Sequence, residues 1–295
     1  MREIVILSGK GGVGKSSIVA SLGVIYARKY KVVLADTDVD APNLDLVLGA
    51  TLRNSEEIAA SFKAFIDYDK CIGCMMCRDV CQFSSIIGVD QPIIIPYSCE
   101  GCGACTITCP EDAIEIKEVV NGQLNIFDAE NMLLVAGELH VGETSSGRLV
   151  DIVKKRARQE AENSHGEMIF TDGPPGIGCP VIASVKGADY VVLVTEPTPA
   201  ALSDLKRVVE VVKHFRTPLG IALNRSDIHP ESNRAIKQFA QDNGFPILTE
   251  IPYDRSMPMA VANAQPVISA YPSTPASLAL RKLAVDLSER INELP

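Results

Sequence analysis

Apolar residues along the chain follow two alternating rhythms. Short, nearly unbroken runs at residues 3–7, 31–35, 132–136, 168–171, 190–195, 219–224 and 247–251 read as strands. Runs of that kind suit strands covered on both faces, because a strand covered on one face alternates polar with apolar. Between several of them the period lengthens to that of a helix. Ile18, Val19, Leu22, Ile25 and Tyr26 share one face of a helix predicted over 16–29, and residues 148–162, 200–214 and 231–243 carry similar patterns. Alternation of this kind predicts an α/β fold, a parallel sheet with helices on both faces. A last stripe, Leu280, Leu283, Ala284, Leu287 and Ile291, predicts a C-terminal helix whose polar face mixes Arg281, Lys282 and Arg290 with Asp286, Glu289 and Glu293. A membrane-surface helix carries a basic polar face, so this one is expected to pack on the core.

Between about residues 62 and 127 the rhythm breaks. The stretch holds eight of the nine cysteines among short elements and turn residues, and the alternation resumes after it. The expected organisation is therefore a core formed by residues 1–60 and 126–295, interrupted by a small α+β domain at 61–125. Cys71, Cys74, Cys77 and Cys81 recur 28 residues later as Cys99, Cys102, Cys105 and Cys109. C-x2-C-x2-C-x3-C is the spacing of bacterial two-cluster ferredoxins, in which the fourth cysteine of each run ligates the other cluster. On that reading Cys71, Cys74, Cys77 and Cys109 hold one [4Fe–4S] cluster, and Cys99, Cys102, Cys105 and Cys81 hold the second. The second run continues into Pro110 as that pattern asks, whereas Gln82 follows Cys81. Ile72, Met75, Ile107, Ala113 and Ile114 are expected to keep water from the sulfurs. Two structural zinc sites are the alternative, since zinc also uses C-x2-C.

Gly9-Lys10-Gly11-Gly12-Val13-Gly14-Lys15-Ser16 fits G-x-x-x-x-G-K-[ST] and lies between a predicted strand and a predicted helix. In such a loop the backbone N–H groups and the helix dipole face phosphate oxygens. Lys15 is then expected to reach the β- and γ-phosphates and Ser16 to ligate Mg2+, with Ser17 the next contact. With its additional lysine, Lys10, the loop resembles the deviant Walker A motif of the MinD/ParA/Mrp group of P-loop ATPases and of the nitrogenase iron protein. The resemblance implies a nucleotide-sandwich homodimer in which Lys10 crosses to the partner's nucleotide and adds positive charge there. It implies that Asp38, within Asp36-Thr37-Asp38-Val39-Asp40 (switch I), orients the attacking water. Asp36 and Asp172 would serve the Mg2+ shell, and Gly176, after Asp172-Gly173-Pro174-Pro175 (switch II), would donate its N–H to the γ-phosphate. Asn224 and the loop containing Pro252 would border the adenine. Asp40 is either part of the acidic group or a solvated loop acid. Cys179 lies seven residues after Asp172, where the nitrogenase iron protein carries a cluster cysteine. The second cysteine of that arrangement is missing, so Cys179 is expected to be a small buried core residue.

The 295 residues are 46% hydrophobic, enough for a sizeable core, with a net charge of −9 and no tryptophan. An acidic chain with few aromatics argues against nucleic acid as a partner. The first apolar run is too short for a signal peptide, and no run reaches the length of a membrane span. A cytoplasmic location is expected, where thiols stay reduced and cysteines serve metals. His140, His165, His214 and His229 lack ligand spacing and read as surface or capping residues. Together these readings predict an Mg2+-dependent ATPase, a parallel-sheet P-loop NTPase core of the MinD/Mrp type with a bacterial-type ferredoxin insert. It would form a homodimer through its nucleotide face and hydrolyse ATP to ADP and phosphate. Its nucleotide state would gate electron transfer or iron–sulfur handling with an unidentified client protein, without nucleic acid or stable membrane insertion. A spatial organiser or assembly scaffold with structural or redox-sensing clusters is the alternative.

Overall fold

The computed structural model describes residues 1–144 and 147–294. Its strands are β1 (Arg2–Ser8), β2 (Val32–Asp36), β3 (Thr51–Ile66), β4 (Ile86–Ile87), β5 (Ile93–Ile94), β6 (Ile114–Ala129), β7 (Met132–Leu139), β8 (Met168–Pro175), β9 (Tyr190–Thr195), β10 (Leu219–Asn224) and β11 (Ile247–Ile251). Its helices are α1 (Lys15–Tyr26), α2 (Leu44–Leu48), α3 (Met76–Val80), α4 (Ala104–Thr108), α5 (Gly147–Ser164), α6 (Cys179–Val185), α7 (Pro199–His214), α8 (Pro230–Asp242), α9 (Ser256–Ala262), α10 (Val267–Ala270) and α11 (Pro275–Asn292).

Nine strands form one sheet in the order β11-β10-β9-β1-β8-β2-β7-β6-β3, while β4 and β5 pair separately as a short hairpin. From β11 to β7 every neighbouring pair is parallel. β6 and β3 join antiparallel at one edge. Successive side chains of β1 serve opposite layers. Ile4 and Ile6 pack with α1, α10 and α11, whereas Val5 and Leu7 pack with α6, α7 and α8. Val33, Ala35, Val135 and Ile169 lie under α5. Covering both faces is what made the apolar runs unbroken, and each such side chain contributes roughly 1.5–3 kcal/mol when buried. The C-terminal stripe is buried throughout α11, which packs on α1 and β11 as expected. Among the described residues no helix is long and apolar enough to cross a membrane.

The sequence pattern did not anticipate a long two-stranded ribbon. β3 and β6 run sixteen residues each and pair along nearly their whole length. The divisions expected at 60/61 and 125/126 fall inside these strands, so the sheet runs into the cysteine-rich segment without a linker. The first half of β3 left no apolar pattern because residues 51–57 are exposed on both faces. As the outermost strand it carries charge instead. Arg53 pairs with Asp128 and Glu56 with Arg156, which discourages strand addition at this edge. β7 accompanies β6 only from Gly122 to Ala129. Residues 59–66 and 114–121 therefore extend past β7, and residues 67–113 lie at their far end.

Gly137 sits in β7 where a Cβ would lie 2.6 Å from Val153 Cγ2 and 2.9 Å from Val39 Cγ1. Gly137→Ala should destabilise the fold by about 1–3 kcal/mol through overpacking. The check is a lower urea midpoint with an unchanged slope.

Candidate functional site

The carboxyl ends of the parallel strands form one edge, and the phosphate loop lies along it between β1 and α1. Gly12 and Gly14 have φ of 75° and 96°, a region that side chains disfavour. A Cβ on Gly12 would meet no atom within 4 Å, so this exposed part of the loop is open to an incoming group. Lys15, the first residue of α1, is buried, whereas Lys10 and Gly11 are exposed. Asn224 has a role the sequence did not suggest. Its amide donates to Val13 O at 2.8 Å and its oxygen accepts from Arg225 N at 2.9 Å, so it ties the loop to the end of β10. Glu196, just past β9, was also missed, because nothing in its local pattern sets it apart. Its carboxylate receives Lys10 Nζ at 3.2 Å and Arg225 Nη1 at 2.8 Å, and Arg225 Nη2 also donates to Gly12 O at 3.1 Å.

Parallel pairing of β2 with β8 sets Asp36 opposite Asp172, each 1% exposed. Asp36 accepts backbone N–H bonds from Asp38, Asn43 and Leu44, all at 3.1 Å. Even so, burial and the neighbouring Asp172 hold its carboxyl well above the ordinary range. Burial pushes Asp172 up to about 6, against the opposing pull of Lys15 and Ser16. Asp172 Oδ1 has no hydrogen-bond partner. Two buried acids with an unmet oxygen, beside Ser16, fit a divalent cation. Burial also raises Asp38, with Lys15 opposing. Asp40 is exposed, in keeping with a solvated loop acid. The N–H of Gly176 is committed to Ser8 O at 2.9 Å, so donation to a phosphate requires that bond to break. Pro252 and exposed Tyr253 follow β11, and Tyr253 N is held by Asp227. Cys179 corrects the sequence reading. It is exposed, because it opens α6 where the chain leaves the sheet edge rather than lying in the core.

Away from this edge the cysteines line two clefts of equal size. Cys71, Cys74, Cys77 and Cys109 surround one of about 330 Å³. Cys81, Cys99, Cys102 and Cys105 surround another of about 330 Å³. The repeat in sequence is a repeat in space. α3 and α4 each follow a left-handed residue, Met75 (φ 61°) and Gly103 (φ 79°), and each ends at the fourth cysteine of its run. Ser85 N donates to Cys81 Sγ at 3.4 Å, and Ala113 N donates to Cys109 Sγ at 3.3 Å. Ala64 N, from β3, donates to Cys99 Sγ at 3.4 Å. Burial and neighbouring thiols raise Cys77 and Cys105. Burial would raise Cys81 as well, but N–H donors led by Ser85 bring it below its ordinary value. Sulfurs that repel one another around a cleft, with N–H donors behind them, suit a multi-iron cluster. Among the described residues no three His, Cys, Asp or Glu are grouped as around a metal ion. Met75, Ala113 and Ile114 are buried beside the clefts as expected, but Ile72, 64% exposed, only borders the first cleft, and Ile107, 89% exposed, lines neither. Both lie between cysteines on the outer surface, where the small core of the segment cannot cover them.

The model of the CobQ/CobB/MinD/ParA nucleotide binding domain matches residues 4–267. The chain belongs to this family. An uncharacterized protein of Methanocaldococcus jannaschii is 33% identical over 263 residues, covering 88% of each chain. The iron–sulfur cluster carrier protein of Pyrococcus horikoshii is 25% identical, across 99% of this chain and 87% of its own. Among solved structures, the septum site-determining protein MinD complexed with Mg-ADP from Pyrococcus horikoshii shares the fold with a TM-score of 0.62 at 21% identity, covering 98% of this chain and 96% of that one. MinD/ParA members of the family are ATPases, and Mg2+ and nucleotide accord with the acids and loop just described.

The facing acids give this family member a pH signature. Asp172 is raised from 3.8 to about 6, so the folded protein holds its proton more tightly than the unfolded chain does. Stability from this group is therefore greatest at acidic pH, falls as pH rises from about 4 to 6, and levels off above, a loss on the order of 2–3 kcal/mol. In protein stripped of divalent cations, Asp172→Asn should be more stable than wild type at pH 7, with the difference vanishing near pH 4. Urea unfolding across that range, with and without Mg2+ and ADP, checks it, and only wild type should be rescued by Mg2+.

Proposed function

We propose that the protein is an Mg2+-dependent ATPase, homodimeric through its nucleotide face, that gates electron transfer through two [4Fe–4S] clusters per protomer. The observation that carries this reading is a physical bridge between the two sites. The backbone of switch I meets the end of β7, where Leu139 N donates to Val39 O at 3.0 Å. The chain past β7 then docks on the cysteine segment. Glu143 pairs with Lys63 of β3 at 2.9 Å, with side chains only 11% and 5% exposed. Tyr97 packs so closely on Gly142 that a Cβ there would lie 3.1 Å from Tyr97 Cδ1. α5 begins at Gly147, packed on the backbone of Cys179 just after switch II. Lys63 immediately precedes Ala64, whose N–H bonds the Cys99 sulfur. Movement of either switch thus bears on the backbone that supports one cysteine set.

In the proposed reaction, backbone N–H groups of residues 9–17 and the Lys15 ammonium hold the phosphates. Asp38 orients water for attack on the γ-phosphate, and Lys10 offsets the charge that gathers in the transition state. Mg2+, held through Ser16 with Asp36 and Asp172 behind it, would neutralise phosphate oxygens. Asn224 and Pro252 border the base. Bound clusters would supply one-electron carriers, with Cys71, Cys74, Cys77 and Cys109 holding one and Cys81, Cys99, Cys102 and Cys105 the other. The exposed thiols of Cys74 and Cys102, with the carrier protein among the relatives, support a second reading in which a cluster is handed to a client. Loss of cluster from purified protein to an apo-acceptor would favour that second reading.

Lys15→Ala should lower ATP hydrolysis by about 100-fold or more while leaving about eight iron atoms per protomer. Unchanged hydrolysis, or zinc in place of iron, overturns the proposal. The paired replacement Lys63→Met with Glu143→Met exchanges two buried partners for apolar groups, which is near neutral for stability. It should keep hydrolysis and iron content but lose any ATP-dependent change in the cluster electron paramagnetic resonance spectrum.

A further inference from the structure

We propose that Glu196 is a latch that withholds Lys10 until nucleotide competes for it, an inference that rests on the ATPase reading above. Lys10 is a loop cation at the mouth of the phosphate cradle, and its ammonium is already engaged at 3.2 Å by Glu196 Oε1. The two partners differ in mobility. The Lys10 side chain is 46% exposed, whereas that of Glu196 is 8% exposed. Glu196 is also fixed from its other oxygen by Arg225 Nη1 at 2.8 Å, and Arg225 is anchored to the loop through Gly12 O at 3.1 Å. The carboxylate is therefore the stationary half of the pair and the lysine the half that leaves. Carrying Lys10 across to the phosphate of a second copy breaks this contact. The same carboxylate places negative charge beside the cradle, where it opposes an incoming triphosphate and neutralises two cations that would attract it. Glu196 thus acts through Lys10 and is a positioning residue rather than a catalytic one.

A half-exposed pair of this kind shifts an equilibrium by about three-fold, and a dimer opens two of them. Glu196→Gln removes the charge and keeps the shape. It should lower the protein concentration needed for ATP-dependent dimerisation by about ten-fold, measured by sedimentation at fixed ionic strength, and raise hydrolysis at low protein concentration. In a Lys10→Met background the same substitution should bring no gain, because there is no lysine to release. A Glu196→Gln protein that dimerises like wild type or more weakly overturns the latch, as does a gain that persists without Lys10. If Glu196→Gln folds poorly, Glu196→Asp retracts the carboxylate from Lys10 while keeping its charge near Arg225. It should show a smaller gain in the same direction, and no gain counts against the latch. Wild type that neither hydrolyses ATP nor dimerises with it would instead overturn the ATPase reading itself.

Discussion

Pairing of β2 with β8 puts two carboxylates side by side at the end of a buried sheet, and the rest of the site is arranged around that repulsion. Neither Asp36 nor Asp172 reaches water, so neither can shed its charge into solvent. Three backbone N–H groups support Asp36, and Asp172, one oxygen of which is unmet, lies near Lys15 and Ser16 at the start of α1. A core covered on both faces sustains this arrangement, since strands packed under helices on each side cannot slide to separate the two acids. The site stores electrostatic cost where a cation can relieve it, and the relief becomes binding energy.

The second organising element is the β3–β6 ribbon. The ribbon leaves the sheet at the edge nearest switch I, because β7 lies next to β2. The cysteine segment is thereby held on the same sheet as the phosphate loop, without an intervening linker. Its own apolar core is small, built on Ala64, Ile86, Ile114 and two of the cysteines. A core of that size contributes little stability on its own. The duplicated turns before α3 and α4, the paired N–H to sulfur bonds and the matching clefts show that both halves of the sequence repeat fold alike, although Met75 stands where its counterpart is glycine.

Much of this was legible in the chain. The parallel strands announced themselves because double-sided burial leaves no polar residue in phase. The phosphate loop and the cysteine repeat were readable because their spacing is dictated by the geometry of what such loops enclose. The first half of β3 was not readable, since residues 51–57 have no buried face to write a pattern. The roles of Glu196, Asn224 and the Lys63–Glu143 pair were equally hidden. Each depends on residues brought together from distant strands, and a charged residue reads the same in sequence whether its partner is water or a lysine 186 positions away. Cys179 misled for a related reason: a lone cysteine carries no mark of exposure, and its position at the start of α6 is set by the turn that precedes it.

The overhang of the ribbon has a mechanical consequence. Residues 59–66 and 114–121 form a cantilever of eight residues, about 26 Å at the rise of a strand. A two-stranded beam bends and twists more readily than the sheet it grows from. It has a strut, the chain past β7, which meets the beam near its middle at Lys63 and meets the cysteine segment beyond it at Tyr97. A beam fixed at one end and propped along its length takes its angle from the prop. The cysteine clefts sit at the loaded end, so their position relative to the nucleotide edge is set less by the stiffness of the strands than by the short segment that props them.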